Sequence, residues 1–176
     1  STASKMKFNN LSVDTGSTFG SVDATWEWET APVFQVEIGT KQHGLGWMLG
    51  FDYEFERNSE ALMITGNGGT VTGNAIGSTL SVMSTRAELL YNMGKRYFRA
   101  GINYSYFDIH IPDVAYDFEG GLGFQVGFGF MLDDHIGLEF SFKRTSLTGN
   151  IKESGVVMDS SNIRLDGTAL ALKYRF

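Results

Sequence analysis

Residues 45–55 read Leu45-Gly46-Trp47-Met48-Leu49-Gly50-Phe51-Asp52-Tyr53-Glu54-Phe55. Every second side chain, from Leu45 through Trp47, Leu49, Phe51 and Tyr53 to Phe55, is large and apolar. The interleaved set is Gly46, Met48, Gly50, Asp52 and Glu54. A helix turning every 3.6 residues cannot place these two sets on separate faces, whereas a strand does so at every step. The stretch is therefore a strand, and a long one.

The same period recurs along the chain. Leu122, Phe124, Val126, Phe128 and Phe130 alternate with Gly123, Gln125, Gly127 and Gly129. Ile136, Leu138, Phe140 and Phe142 alternate with Gly137, Glu139 and Ser141, and Phe98, Ala100, Ile102, Tyr104 and Tyr106 with Arg99, Gly101, Asn103 and Ser105. Near the end, Leu170, Leu172, Tyr174 and Phe176 alternate with Ala171, Lys173 and Arg175. Met83, Thr85, Ala87, Leu89 and Tyr91 oppose Ser84, Arg86 and Glu88. Upstream, Trp26, Trp28, Phe34, Val36 and Ile38 share one parity and are expected on one face, although Pro32 suits a strand end better than a strand centre. The stretch 5–14 alternates least clearly and completes a count of eight strands. Shared among eight strands, 176 residues leave about 22 each, connections included.

Connections alternate in length. Gln42-His43-Gly44, residues 92–95 and residues 132–135 are tight. Residues 57–78, 108–119 and 146–162 are long, polar and rich in Gly, Ser, Thr and Asn. Tight turns at one end and long loops at the other describe an up-and-down antiparallel sheet with two unlike ends, and closing eight strands into a barrel removes the unpaired edge. No internal boundary or linker divides the chain, so residues 1–176 are expected to form a single barrel domain.

Composition excludes other classes. With no cysteine there is no disulfide framework, thiolate zinc site or cysteine nucleophile. A hydrophobic content of 42% with 14% aromatics is too high for a disordered chain. No apolar run approaches the roughly 20 residues of a membrane-spanning helix. A net charge of −6 argues against nucleic-acid binding. No secretory signal precedes Ser1, but a trimmed chain would look the same, so the compartment is not settled by it.

Period two leaves open which face is inside. A soluble carrier barrel of the lipocalin kind lines its cavity with the apolar set; an outer-membrane barrel turns that set to lipid. Four features favour the second. Glycines 46, 50, 101, 123, 127, 129, 137 and 167 crowd the polar set, where a cramped lumen needs small residues. The strands approach the ~9–11 residues that cross a bilayer at a tilt. Aromatics gather at strand ends (Tyr53 and Phe55, Tyr91, Tyr104 and Tyr106, Tyr174 and Phe176), where belts at the lipid–water boundary are expected. The alternation of short and long connections suits a short-turned periplasmic end.

The chain ends Ala-Leu-Lys-Tyr-Arg-Phe, with Tyr174 two residues before Phe176. This resembles the terminal signature of bacterial outer-membrane β-barrels. The Gly-rich strand followed by Leu132-Asp133-Asp134-His135 and Gly137-Leu-Glu-Phe-Ser-Phe is similar to the last hairpin of small barrels of the OmpA, OmpX and OmpW type. The resemblance implies an eight-stranded transmembrane barrel in the bacterial outer membrane, with short periplasmic turns and long extracellular loops. It also implies Tyr174 and Phe176 as the signal read by the barrel-assembly machinery. Expected partners are outer-membrane lipid, lipopolysaccharide and that machinery, around a monomer that binds no nucleic acid.

Eight strands leave a lumen just wide enough for side chains to fill. The inward set holds both signs of charge: Glu37, Asp52, Glu54, Arg86, Glu88, Arg99, Glu139, Lys143, Lys173 and Arg175. A hairpin centred on Met93-Gly94 would set Glu88 directly opposite Arg99. Isolated buried charges are costly, so a salt-bridge network plugging the lower barrel is expected, with a solvated charged column as the alternative.

Catalytic chemistry finds little support. His43 and His135 fall in short turns. His110, near Asp108 and Asp113, with serines 146, 154, 160 and 161 in the neighbouring loop, is the sole candidate for acyl transfer. Lys143-Arg144-Thr145-Ser146 is similar to the His-x-Ser region of outer-membrane lipid A deacylases but lacks the histidine. The acidic loop of Asp108, Asp113, Asp117 and Glu119 is expected to be solvated rather than a cation site. Gly121-x-Gly123 lies inside a strand and opens no helix, so it is no phosphate loop. The expected protein has no catalytic residue, metal or cofactor and acts structurally or through its surface loops. The alternatives are a narrow solute channel, a lipid A-modifying enzyme and a soluble carrier.

Overall fold

In the computed structural model the backbone is described over residues 2–14, 19–40, 43–66, 69–74, 76–112, 115–153 and 156–174. Side chains are described over 3–8, 23–40, 43–66, 69–74, 76–112, 119–147 and 163–174. Eleven strands follow one another: β1 Thr2–Asp14, β2 Phe19–Ala31, β3 Val33–Gly39, β4 Gly44–Gly66, β5 Gly69–Gly73, β6 Thr79–Met93, β7 Arg96–His110, β8 Ala115–Glu119, β9 Gly121–Met131, β10 Ile136–Glu153 and β11 Val156–Tyr174. All pairings are antiparallel, and β11 pairs both with β10 and with β1, which brings the sheet back on itself.

The eleven segments make eight staves. β2 and β3 both lie on β4, with the ladder broken between Trp28 and Val33, where Pro32 has no N–H to give. β5 and β6 both pair with β4, and β8 and β9 both pair with β10. The result is an eight-stranded up-and-down antiparallel barrel. At the tight-turn end, Gly94 (φ +68°) and Gly44 (φ +91°) take left-handed conformations that side-chain-bearing residues rarely adopt.

Four features differ from the sequence-based expectations. First, much of what reads as long loop is strand: β4 runs to Gly66 and turns through Gly69 (φ +127°) into β5, while β10 and β11 pair as far as Glu153↔Val156. Hairpins rise beyond the apolar staves, and their polar composition hides them from an alternation search. Second, Leu90 lies opposite Arg99 and Glu88 opposite Gly101, a shift of two residues, because Gly94 and Lys95 form the turn between paired Met93 and Arg96.

Third, Trp26 and Trp28 point inward, although Phe34, Val36 and Ile38 of the same parity point out. Glu29 and Thr30 are consecutive exposed residues before buried Ala31, so the parity flips between them. β4 answers with an irregularity between Glu54 and Arg57, where Phe55 and Glu56 are both exposed. Each extra residue turns the following side chains to the opposite face. Fourth, β1 meets Ala169 and Ala31 at Thr2. Below that level, among the described residues, β3 pairs only with β4, and Leu170 to Tyr174 only with β10. Among the described residues the sheet closes through β1 at its long-loop half.

The two zones of the wall have opposite polarity. In the lower zone Leu45, Trp47, Leu49, Phe51, Leu89, Phe98, Ile102, Phe124, Phe128, Phe140 and Leu172 are exposed on the outside, and polar side chains are buried within. Toward the long-loop end the order reverses. Met6, Phe8, Trp26, Trp28, Leu80, Val82, Ile109, Leu147, Ile163 and Leu165 form a buried cluster inside, with Trp26 and Trp28 stacked at 4.5 Å. Lys5, Asp108 and Ser146 face out at the same level.

Candidate functional site: a charged lumen under an apolar cap

Period-two alternation on every stave sends one side-chain set into a space that eight strands make narrow. At the tight-turn end Leu90, Tyr97 and Met131 form an apolar floor. The charged layer lies above it. Arg86 Nη1 donates to both oxygens of Asp52, at 2.7 and 2.8 Å, and its Nε lies 3.3 Å from Glu88. Its Nη2 donates to Glu37. Arg99 Nη1 reaches Glu37 at 3.0 Å and Glu88 at 3.1 Å, while Nη2 lies 2.5 Å from Glu139. Lys173 donates to Glu37 and lies 3.2 Å from Glu139. The Glu37–Lys173 pair joins β3 to β11.

Neutral donors complete the shell. Tyr97 Oη donates to Glu139 at 2.8 Å, and Gln125 Nε2 to Glu88 at 2.7 Å. Toward the long-loop end follow Ser84, Ser105, Asn103 and Thr145, hydrogen-bonded to one another. A second ion cluster joins Glu54 to Arg57 at 2.6 Å and to Lys143, which also donates to Ser84 at 3.1 Å. The apolar cluster around Trp26 and Trp28 caps the column.

Glycine makes room for this packing. A Cβ on Gly50 would stand 2.3 Å from Arg86 Nε, and one on Gly127 2.6 Å from Arg99 Nε. On Gly129 it would meet the Tyr97 ring at 2.0 Å. The void left beside Asp52, Arg86 and Arg99 has a volume of about 20 Å³, space for roughly one water.

Five buried carboxylates (Glu37, Asp52, Glu54, Glu88, Glu139) face five cations (Arg57, Arg86, Arg99, Lys143, Lys173), so this inventory nets zero. Of the residues expected in the network, the structure brings together all but Arg175, which lies outside the described residues, as does Phe176. Tyr174 is exposed and stacks on His135, ring centroids 5.9 Å apart. Sequence reasoning missed Arg57, Tyr97 and Gln125. Gln125 stood on the inward parity and was readable. Arg57 was not, because the irregularity at Phe55 and Glu56 reverses its parity.

An outward apolar wall around a charged interior is the arrangement of a protein whose solvent is lipid. A model of the outer membrane protein beta-barrel domain matches residues 2–176. The chain belongs to that family. It is a protein of the bacterial outer membrane. Among solved structures it is similar in fold to the outer membrane protein OprG from Pseudomonas aeruginosa, with 13% identity over 99% of this chain and 94% of that chain and a TM-score of 0.53. An outer membrane channel from Pseudomonas putida F1 is more distant, with 9% identity, coverage of 97% and 94%, and a TM-score of 0.29. No curated relative matches the chain.

On this outer-membrane barrel the other sequence candidates are scattered. His110 ends β7, exposed and opposite Thr79, while Ser146 is exposed on β10. No hydrogen bond joins His110 to a serine or aspartate among the described residues, and Asp113, Ser154 and the side chains of Asp117, Ser160 and Ser161 lie outside them. Among the described residues no group of three or more His, Asp or Glu is placed to hold a metal.

Proposed function

We propose that this outer-membrane barrel is non-enzymatic and closed along its axis, with a structural or surface-contact role carried by its long-loop end. The observation that supports this reading is the packing of the described inward side chains: balanced ion pairs below, an apolar cluster above and a void of about 20 Å³ beside Asp52, Arg86 and Arg99. Ions in such a space pass only by breaking several desolvated pairs at once, because removing a partner strands a buried charge. The exposed, unlinked His110 and Ser146 speak against acyl transfer, which needs nucleophile and base within hydrogen-bond reach.

The test is a swelling assay on liposomes carrying the refolded barrel and challenged with small sugars and amino acids. No swelling above protein-free vesicles is expected. Swelling that depends on solute size would overturn the closed reading and establish a narrow channel. Activity on lipopolysaccharide that disappears in His110→Ala would instead establish the enzyme.

Exposed Tyr174 at the end of β11 fits recognition by the barrel-assembly machinery. Tyr174→Ala is expected to lower the folded fraction in the outer membrane while leaving refolding into detergent unchanged.

A further inference from the structure

The outward-facing cations at the long-loop end are not spread around the rim. Among the described residues they are Lys5 and Lys7 on β1, Arg144 on β10 and Arg164 on β11, three adjacent staves. Register places them side by side: Lys5 and Arg144 both oppose Asp166, and Lys7 opposes Arg164. Among the described residues the remaining rim is acidic, with exposed Asp23, Glu29, Glu56, Glu60, Asp108 and Glu119. Within the patch Asp166 accepts from Arg144 at 2.6 Å and lies 3.3 Å from Arg164, and Glu27 pairs with Lys5. Four cations against two carboxylates leave +2 on a chain whose total is −6.

The patch sits where the apolar band ends. The Arg144 guanidinium lies 5.8 Å from the Phe124 ring centroid and 5.5 Å from that of Phe142. Both rings point outward, so the cation rests on the edge of the lipid-facing wall with its charge toward water. Asp166 takes its Nε and Nη2, which leaves Nη1 for another acceptor. Lys7 has no partner among the described residues. Beside the patch, a groove of about 220 Å³ runs over the start of β1, walled by Lys5, Asp166, Phe142, Thr168 and Trp28, with Glu60 on its far side.

We propose that this patch binds the phosphate groups of the outer-leaflet glycolipid, with Arg144 and Lys7 as the main contacts and an acyl chain against Phe124 and Phe142. The long-loop end is taken as the extracellular one, as the resemblance to small outer-membrane barrels implies, where the leaflet carries phosphorylated glycolipid. Cations stacked on aromatics at that depth meet its phosphates, while the acidic remainder of the rim repels them. The patch lies on the outer wall and owes nothing to whether the lumen is closed.

The test uses the full barrel reconstituted in phosphatidylcholine nanodiscs, with bound glycolipid counted by native mass spectrometry. Probes are bis-phosphorylated lipid A, its enzymatically dephosphorylated form, phosphatidylglycerol and inorganic phosphate. Lipid A is expected to bind at least about tenfold more tightly than each of the other three, and the double variant K7Q/R144Q to lose about tenfold, in line with the loss of charge-assisted hydrogen bonds. Lys7→Gln alone, which disturbs no ion pair, should account for part of that loss. The control K95Q/R96Q removes the same charge at the tight-turn end and should bind as wild type. Equal binding by dephosphorylated lipid A, phosphatidylglycerol or phosphate, or an equal loss in the control, would overturn the proposal. So would full affinity in K7Q/R144Q that still runs as a folded barrel in unheated gels.

Discussion

Arg99 serves Glu37, Glu88 and Glu139 at once, so its removal takes a shared cation from three inward carboxylates and leaves the layer with a net negative charge. Arg99→Ala is expected to cost about 3–5 kcal/mol in urea unfolding from lipid vesicles, whereas Arg144→Ala on the outer wall costs far less. A smaller loss at Arg99 than at Arg144 would refute the network's structural weight. Asp133, in the tight turn between β9 and β10, accepts from the backbone N–H groups of His135 and Ile136, both at 2.7 Å, and these bonds lower its carboxyl from the ordinary value of 3.8. A lowered folded value means that the turn's contribution is present above the unfolded value and lost as pH falls through the folded one. An NMR titration of Asp133 should therefore reach its midpoint below the usual aspartate range, and Asp133→Asn should remove the step. A midpoint at or above 3.8 would contradict this. Alternation made the inward residues of the lower barrel legible, but it could not tell which partners meet. Arg99 reaches Glu88 diagonally from a register two residues away from the expected one, because the turn conformation, set by Gly94, decides the pairing.

The paired irregularities at Glu29-Thr30 on β2 and Phe55-Glu56 on β4 let one chain serve two solvents. Below them the period-two code puts apolar groups outside; beyond them it puts Trp26, Trp28 and Arg57 inside. Deleting Glu56 should make β4 regular against β6 with Arg57 still facing inward, and leave the extra residue of β2 at Glu29-Thr30 without its counterpart. The expected outcome is loss of the folded, faster-migrating band in unheated gels, with Glu56→Ala retaining it. A deletion variant that folds and melts like wild type would show that the irregularity is incidental. These positions explain why Trp26 and Trp28 were misplaced from sequence: two added residues reverse a face without changing the composition of the strand. The extended hairpins of β4–β5 and β10–β11 were missed for a different reason. Above the lipid band neither face needs large apolar residues at every second position, so the strand leaves no period to detect.

At the scale of the molecule, the barrel is lipid-facing over its lower half and closed like a soluble core over its upper half. The eight staves, their order and the outer-membrane setting were legible, because lipid on one side and a narrow lumen on the other impose opposite compositions on alternate residues. The apolar cap was not legible, since it gathers single residues from staves distant in sequence (Phe8, Trp28, Val82, Ile109, Leu147 and Leu165). The cap, ion pairs and floor stacked along the axis are what the proposed closure rests on. Electrical recording in planar bilayers examines this most directly. With the barrel inserted, verified by flotation and unheated gels, the current should stay at the level of the protein-free bilayer across both voltage signs and in molar salt. Reproducible unitary steps from the wild-type protein, scaling with salt concentration, would contradict a closed lumen.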